Sequence, residues 1–402
     1  MIDIDNFVSK YVICREKSLF ALDIESHKDQ LQQEIEGKSL LVIGGAGSIG
    51  AAYIRAMLAF RPAKLFVVDL NENGLTELTR DLRSSYGLCM PKVYKTYALS
   101  FVDPIFKRIF RAEQGFDIVA NFSAHKHVRS EKDQFAVQAL LENNVLKAKE
   151  LFDLLLEFPP KHFFCVSTDK AANPVNVMGA SKSVMEDLLM LYQHQFKVTT
   201  ARFANVAFSN GSLLAGFLER LMKKQPLAAP CDVKRYFVSL KESGQICMLA
   251  SILGHSGEIF FPKLQQEQMI TFASICDKLI AELGYEKQLC ADEEEAKRYA
   301  YEMVRESKKY PVVYFESDTT GEKAYEEFYV AGESLNMDRY LSLGVIKKCS
   351  VHTFSEMNRF LVELETIFRQ PYFTKSEIVK ALERFLPCFK HQEKSKNLDQ
   401  KM

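Results

Sequence analysis

Neither charge sign is in excess: Lys and Arg total 52, and Asp and Glu total 52, in a chain of 402 residues. That balance gives no electrostatic reason to expect a nucleic acid or an anionic membrane surface as partner. No two cysteines stand at CxxC spacing. Nine are scattered from Cys14 to Cys388, an odd number, which reads as idle or buried thiols in a reducing compartment and leaves no metal site to nominate. No apolar run is long enough to cross a bilayer. An uncharged stretch as long as any in the chain, Ser39–Ile54, contains four glycines and stops at Arg55. The opening MIDIDNFVSKYVICREK lacks the continuous apolar core of a secretion signal. The expectation is therefore a cytoplasmic chain with no membrane partner. Internal repeats are absent as well.

What is present is ordinary for a soluble globular chain, with 47% apolar and 26% charged residues. At roughly 150 residues per domain the length allows two or three domains. Residues 1–37 read as a polar helical leader. From Lys38 short apolar runs alternate with helical segments: SLLVI (Ser39–Ile43), KLFVVD (Lys64–Asp69), VYKTYAL (Val93–Leu99), DIVANFSA (Asp117–Ala124), HFFCVST (His162–Thr168) and KVTTARFANV (Lys197–Val206). Helices are predicted from about Phe135 to Phe158, stopped by Pro159-Pro160, and from about Val177 to Phe196. Buried strands alternating with helices predict an α/β fold, a Rossmann-type doubly wound parallel sheet. The expected division is a dinucleotide-binding domain over 38–225, a smaller, mostly helical substrate domain over 226–345, and a helical tail with a frayed end over 346–402. GEIFFPK (Gly257–Lys263) would return to the sheet, so the second domain would interleave with it.

The first strand runs into GGAGSIG (Gly44–Gly50). Gly44, Gly47 and Gly50 suit a tight strand-to-helix turn whose backbone can approach a pyrophosphate. The helix opening at about Ser48 would present the amides of Ser48, Ile49 and Gly50 to the phosphates. Asp69 ends the next strand, 19 residues after Gly50, where a carboxylate would take the adenosine ribose hydroxyls. No arginine follows Asp69 in DLNENG, which favours NAD over NADP.

Four further segments, NFSAHKHV (Asn121–Val128), STDKAANPVNVMGASK (Ser167–Lys182), RFANVAFSNGS (Arg202–Ser212) and GEKAYEEF (Gly321–Phe328), complete a pattern. With GGAGSIG they resemble the CapD-like polysaccharide-biosynthesis branch of the extended short-chain dehydrogenases, from about Lys38 to Phe328. The resemblance implies a nucleotide-sugar 4,6-dehydratase, typically acting on UDP-N-acetylglucosamine, with bound NAD, a UDP-sugar substrate and a homo-oligomeric state. Such a reaction oxidises the sugar at C4, removes the acidified C5 proton while the C6 hydroxyl leaves, and returns the hydride to C6. It needs an acid and a base beside adjacent carbons.

By this resemblance Asp169 is the acid toward O6 and Lys170 the base at C5. An exposed Asp–Lys pair without function is the alternative. Lys182 occupies the lysine of the family's YxxxK element and would hold the nicotinamide ribose. The tyrosine position is Met178, whose thioether cannot accept the C4 hydroxyl proton. The alternatives are a Met178 that fills an apolar gap in an altered site, and a Tyr-to-Met sub-branch that remains active. In the latter case Thr168, Asp169 or Lys170 covers the missing acceptor. Lys126 and His127 match the family's KHV. His125 and His127, two apart with no carboxylate or cysteine partner, do not suit a metal. Asn144 matches a structural asparagine beside the site. Arg202 and Asn205 follow the sixth strand; Asn205 is implied to contact sugar or diphosphate, the turn beginning at Ser209 to admit the nucleotide, and Arg235 to face the diphosphate.

The chain departs from the pattern at Thr319-Thr320, where the family has Arg-Pro, and at Ser100, where it often has Asp. Two rival readings remain: an epimerase on the same fold, and a non-catalytic protein that binds NAD or a nucleotide sugar.

Overall fold

The structure, a computed structural model, describes residues 2–127, 131–303, 307–317 and 327–391. The leader forms α1 (Ile4–Phe7), a π turn over Val8–Val12, α2 (Ala21–Ser26) and α3 (Lys28–Ile35). Strands and helices then alternate through β1 (Ser39–Ile43), α4 (Ser48–Leu58), β2 (Lys64–Asp69), α5 (Glu72–Ser84), β3 (Val93–Ala98), α6 (Pro104–Ala112) and β4 (Ile118–Asn121). Next come α7 (Gln134–Leu141), α8 (Lys147–Leu155), β5 (His162–Val166), α9 (Val177–Leu191) and β6 (Val198–Ala201).

The chain then builds β7 (Asn205–Val206), α10 (Leu213–Met222), β8 (Leu227–Pro230), β9 (Lys234–Arg235), β10 (Phe237–Val238) and α11 (Leu240–Leu253). After these follow β11 (Glu258–Pro262), β12 (Ile270–Thr271), α12 (Phe272–Glu282), β13 (Glu286–Leu289), α13 (Glu293–Glu302) and β14 (Lys309–Phe315). The last elements are β15 (Ser334–Asn336), β16 (Leu343–Lys347), α14 (Phe354–Phe368) and α15 (Lys375–Phe385).

Among the described residues nine strands form the main sheet, in the order β15-β16-β11-β6-β5-β4-β1-β2-β3. All pairings from β3 to β11 are parallel. Only the edge beyond β11 is antiparallel. The strand order reverses between β1 and β4, and in such a sheet the crevice at the carboxyl ends of the strands is where ligands bind. The central strands are apolar on both faces because helices cover both: β5 and β11 are buried at every position. One face packs against α6 to α9 and the C-terminal helices. The other packs against α3, α4, α5 and α11. The doubly wound parallel sheet expected from the sequence is thus observed.

A third core lies in the second lobe, where α10, α12 and a parallel sheet β13-β14-β8 pack together. Phe7, Val8, Val12 and Ile13 of the leader belong to it. The expected sixth strand divides. β6 ends at Ala201, Arg202 N donates to Phe260 O (2.8 Å), and the chain crosses to pair β7 with β10. The expected helix over 135–158 is interrupted by a π segment at Glu142–Leu146, whose extra residue turns Asn144 inward.

Candidate active site

The glycine loop follows β1 into α4. Gly44 has φ +73°, and a Cβ there would lie 2.6 Å from Ser123 N, so the residue must be glycine on two counts. Gly50 packs its Cα side directly on Gly44 O, which draws α4 against the loop. At Gly47 a Cβ would make only an ordinary contact, with Gly44 O at 3.4 Å. No side chain among the described residues caps α4, and its first amides remain as donors. Asp69 Oδ2 accepts from Ala46 N (3.0 Å) and Oδ1 from Asn71 N (2.9 Å), which ties the end of β2 to the loop. A narrow turn and a helix amino terminus fit a dinucleotide's pyrophosphate.

Two strands along the sheet from β1, β5 ends at Val166 and opens into a single turn of 3₁₀ helix, Asp169–Ala171. Asp169 is buried, at 2% exposure. Its Oδ1 accepts from Thr168 Oγ1 (2.7 Å) and from Lys170 Nζ (3.1 Å). One carboxylate oxygen thus carries a hydroxyl and an ammonium, and the Lys170 side chain still reaches solvent.

Helix α9 packs behind this turn, with every residue from Val177 to Met190 buried. Lys182 Nζ donates to Val166 O (3.0 Å). Burial lowers the pKa of this ammonium, against the opposing pull of Cys165 and Glu186. Met178, one turn earlier, is buried in the core of that face. A Cβ on Gly179 would lie 2.6 Å from Lys170 O, so the first turn of α9 sits directly against the Asp169–Lys170 turn. Asn144 fastens the neighbouring strand end. Its Oδ1 accepts from His125 N (2.8 Å), and its Nδ2 donates to His125 O (2.9 Å) and to Ser181 Oγ (3.0 Å).

The residues that the resemblance implies to face substrate fall into two groups. Lys126 Nζ donates to Asn210 O (3.0 Å) and Asn210 N donates to Ser48 Oγ (2.8 Å), which brings the SNGS turn against the glycine loop. Lys126 reaches the surface, yet the walls around it desolvate the amine and draw its pKa down. Ser209 is buried at the start of that turn. Asn205, on β7, has a buried Nδ2 with no hydrogen-bond partner among the described residues, and an amide donor in that state is a place for a ligand acceptor. Arg235, buried on β9, donates through Nη1 to Lys234 O (2.9 Å); no hydrogen bond links it to the Asp169 turn among the described residues. Glu322 and Lys323 of GEKAYEEF, and Val128 of NFSAHKHV, lie outside the described residues.

Glu186 was not singled out from the sequence, nor was the role of Arg202. Arg202 lies in the interior, bidentate to Glu186 (Nε–Oε1 2.9 Å, Nη2–Oε2 2.7 Å) and bonded to Phe328 O and Glu333. Ser167 Oγ donates to Glu186 Oε1 (2.6 Å) and Lys348 Nζ to Oε2 (3.0 Å). Desolvation pushes the Glu186 pKa up, but Arg202 and Lys348 outweigh it and hold the carboxyl at about 2. The available signal was the Glu186-Asp187 pair one turn after Lys182 in a largely apolar helix, since a buried carboxylate needs a cation.

The sequence model of one family, described as polysaccharide biosynthesis protein, matches residues 40–347. An uncharacterized membrane protein of Methanocaldococcus jannaschii is 30% identical over 319 residues, 77% of this chain and 85% of its own length. The capsular polysaccharide biosynthesis protein CapD of Staphylococcus aureus is 27% identical over 57% of this chain, and the match spans 38% of CapD. A UDP-N-acetylglucosamine 4,6-dehydratase (inverting) of Campylobacter jejuni is 27% identical over 246 residues, 59% of this chain and 70% of its own. Among solved structures, Pen of Bacillus thuringiensis superposes with a TM-score of 0.63 at 21% identity, covering 79% of this chain and 90% of Pen. The dTDP-glucose 4,6-dehydratase DesIV of Streptomyces venezuelae, solved with NAD, gives 0.54 at 19% identity, covering 72% and 88%. These two structural likenesses are of fold.

Proposed function

The chain belongs to the polysaccharide biosynthesis protein family, and on that premise we propose that it is an NAD-dependent 4,6-dehydratase of a UDP-N-acetylhexosamine, with UDP-N-acetylglucosamine as first candidate. The observation that carries the reading is the buried Asp169 carboxylate, which holds the Thr168 hydroxyl and the Lys170 ammonium on one oxygen at the carboxyl edge of β5. A surface ion pair would have no reason to be buried there.

Bound NAD would supply the hydride acceptor for C4 and give the hydride back at C6. The glycine loop would hold its pyrophosphate, Asp69 its adenosine ribose, and Lys182 the nicotinamide ribose. The proton of the C4 hydroxyl passes to Thr168 Oγ1 and on to Asp169 Oδ1, 2.7 Å away. Asp169 yields it to O6, which leaves as water. Lys170, once its ammonium has released a proton to solvent, takes the C5 proton, exchanges it with solvent water and delivers a proton back to C5. Each group then ends the cycle as it began. In this reading the Met178 position marks a sub-branch in which Thr168 and Asp169 take over the missing phenol's task. Asn205 Nδ2 and Arg235 bind the sugar and diphosphate.

Incubation with UDP-N-acetylglucosamine tests the reading. The expected product has lost one water in mass, and in heavy water it carries deuterium at C5. A product of unchanged mass would mean epimerisation. Absence of turnover with a panel of UDP- and dTDP-sugars, despite NAD binding, would leave a binding protein.

A further inference from the structure

The family match ends at residue 347, and from Lys348 onward the chain attends to one helix. Lys348 Nζ pairs with Glu186 at 3.0 Å. Two residues on, Ser350 Oγ and Val351 N each donate to Asp187 Oδ1 at 2.8 Å, and His352 Nδ1 meets Asp187 Oδ2 at 2.6 Å. His352 also stacks on Phe385 with centroids 4.0 Å apart, which ties these contacts to α15. At the far end His391 Nε2 meets Glu131 Oε2 at 3.3 Å, with both side chains nearly buried. The other oxygen of Glu131 accepts from Met178 N at 3.0 Å.

That last contact lies at the start of α9. Asn176 caps the helix by accepting from Gly179 N (2.7 Å). Glu131 takes the amide of Met178, one of the donors that a helix start leaves open, and its negative charge suits the helix dipole. A buried carboxylate bonded on one oxygen only is costly, so Glu131 keeps this position better with a donor on each side. His391 provides the second. The first turn of α9 in turn packs against Lys170 O at Gly179.

We infer that His391 is a positioning residue for the catalytic turn. It steadies Glu131, Glu131 holds the amide of Met178, and the first turn of α9 sets where Asp169 and Lys170 stand. The C-terminal extension is thus a working part of the active site. The inference rests on the dehydratase reading for its activity arm only.

The test compares His391→Leu, which removes the donor, with His391→Gln, whose amide can still donate to Glu131. In full-length protein with NAD, amide exchange is read separately for residues 177–181 and for 188–191. For His391→Leu the expected result is exchange in the first turn faster by about ten-fold, unchanged exchange at the far end, and an unmoved thermal midpoint. With UDP-N-acetylglucosamine, kcat falls by roughly the same factor while KM for the sugar holds. His391→Gln restores both. Unchanged first-turn exchange in His391→Leu overturns the inference. So does a loss that spreads over all of α9 with the thermal midpoint, or one that Gln does not restore. If the wild type makes no 4-keto product, the dehydratase reading fails while the exchange arm still decides the placement.

Discussion

Asp169 and Glu186 are both buried carboxylates, and their partners separate their tasks. Asp169 is held by a hydroxyl and a flexible ammonium on a short turn at the ligand edge; Glu186 is locked in the interior by Arg202, Lys348 and Ser167. Asp169→Asn keeps the shape and removes the proton transfer. Product formation from UDP-N-acetylglucosamine should fall by roughly 100- to 10,000-fold, with the fold intact by circular dichroism. Turnover near the wild-type rate would remove Asp169 from the mechanism. Glu186 makes a prediction about acid. Its folded pKa of about 2 lies below the ordinary 4.5, so the ionised form stabilises the fold at neutral pH. That stabilisation is lost as pH falls from about 4.5 toward about 2. In Glu186→Gln this part of the acid-unfolding curve should flatten, and urea titration at neutral pH should show a loss of about 3 kcal/mol, because Arg202 keeps only Glu333 as a counter-charge and Lys348 loses its own.

At the scale of elements, two short junctions carry the site, and glycine makes both possible. The turn from β1 to α4 needs Gly44 at φ +73° against Ser123 N. An alanine there strains the backbone by about 1–3 kcal/mol and pushes the loop out of line. Gly44→Ala is expected to weaken NAD binding at least ten-fold in a calorimetric titration. The second junction is Gly179 against Lys170 O. Gly179→Ala favours the helix by propensity yet displaces the catalytic turn. The expected outcome is kcat lowered by up to about 100-fold without loss of NAD affinity. An active Gly179→Ala would show that the turn tolerates the shift.

Over the whole molecule, the two ends of the chain brace what the middle builds. Phe7, Val8 and Val12 of the leader enter the second lobe's core, and Phe20, Leu31 and Ile35 enter the core on one face of the main sheet. Between them Arg15 Nε and Nη2 each bond Glu242 at 2.7 Å, and Asp23 accepts the amides of Leu341 and Ser342. Arg15→Met would leave Glu242, nearly wholly buried, with its charge uncompensated. Stability in urea should drop by about 3 kcal/mol. An unchanged midpoint would mean that the leader is a passive cover.

The succession of strands and helices along the chain, the glycine loop and the STDKA turn were legible in the sequence, because each depends on neighbours within a few residues: apolar runs for buried strands, glycines for a tight turn, a polar cluster after β5. The break after Ala201, the π segment around Asn144, and the roles of Glu186, Arg202 and His391 were not. Each answers to a partner far along the chain, such as Glu186 to Lys348 or Glu131 to His391. A local pattern records what a segment prefers. Which buried charge meets which counter-charge is settled only when the sheet and both ends of the chain have packed, since outside that interior water would solvate each of them alone.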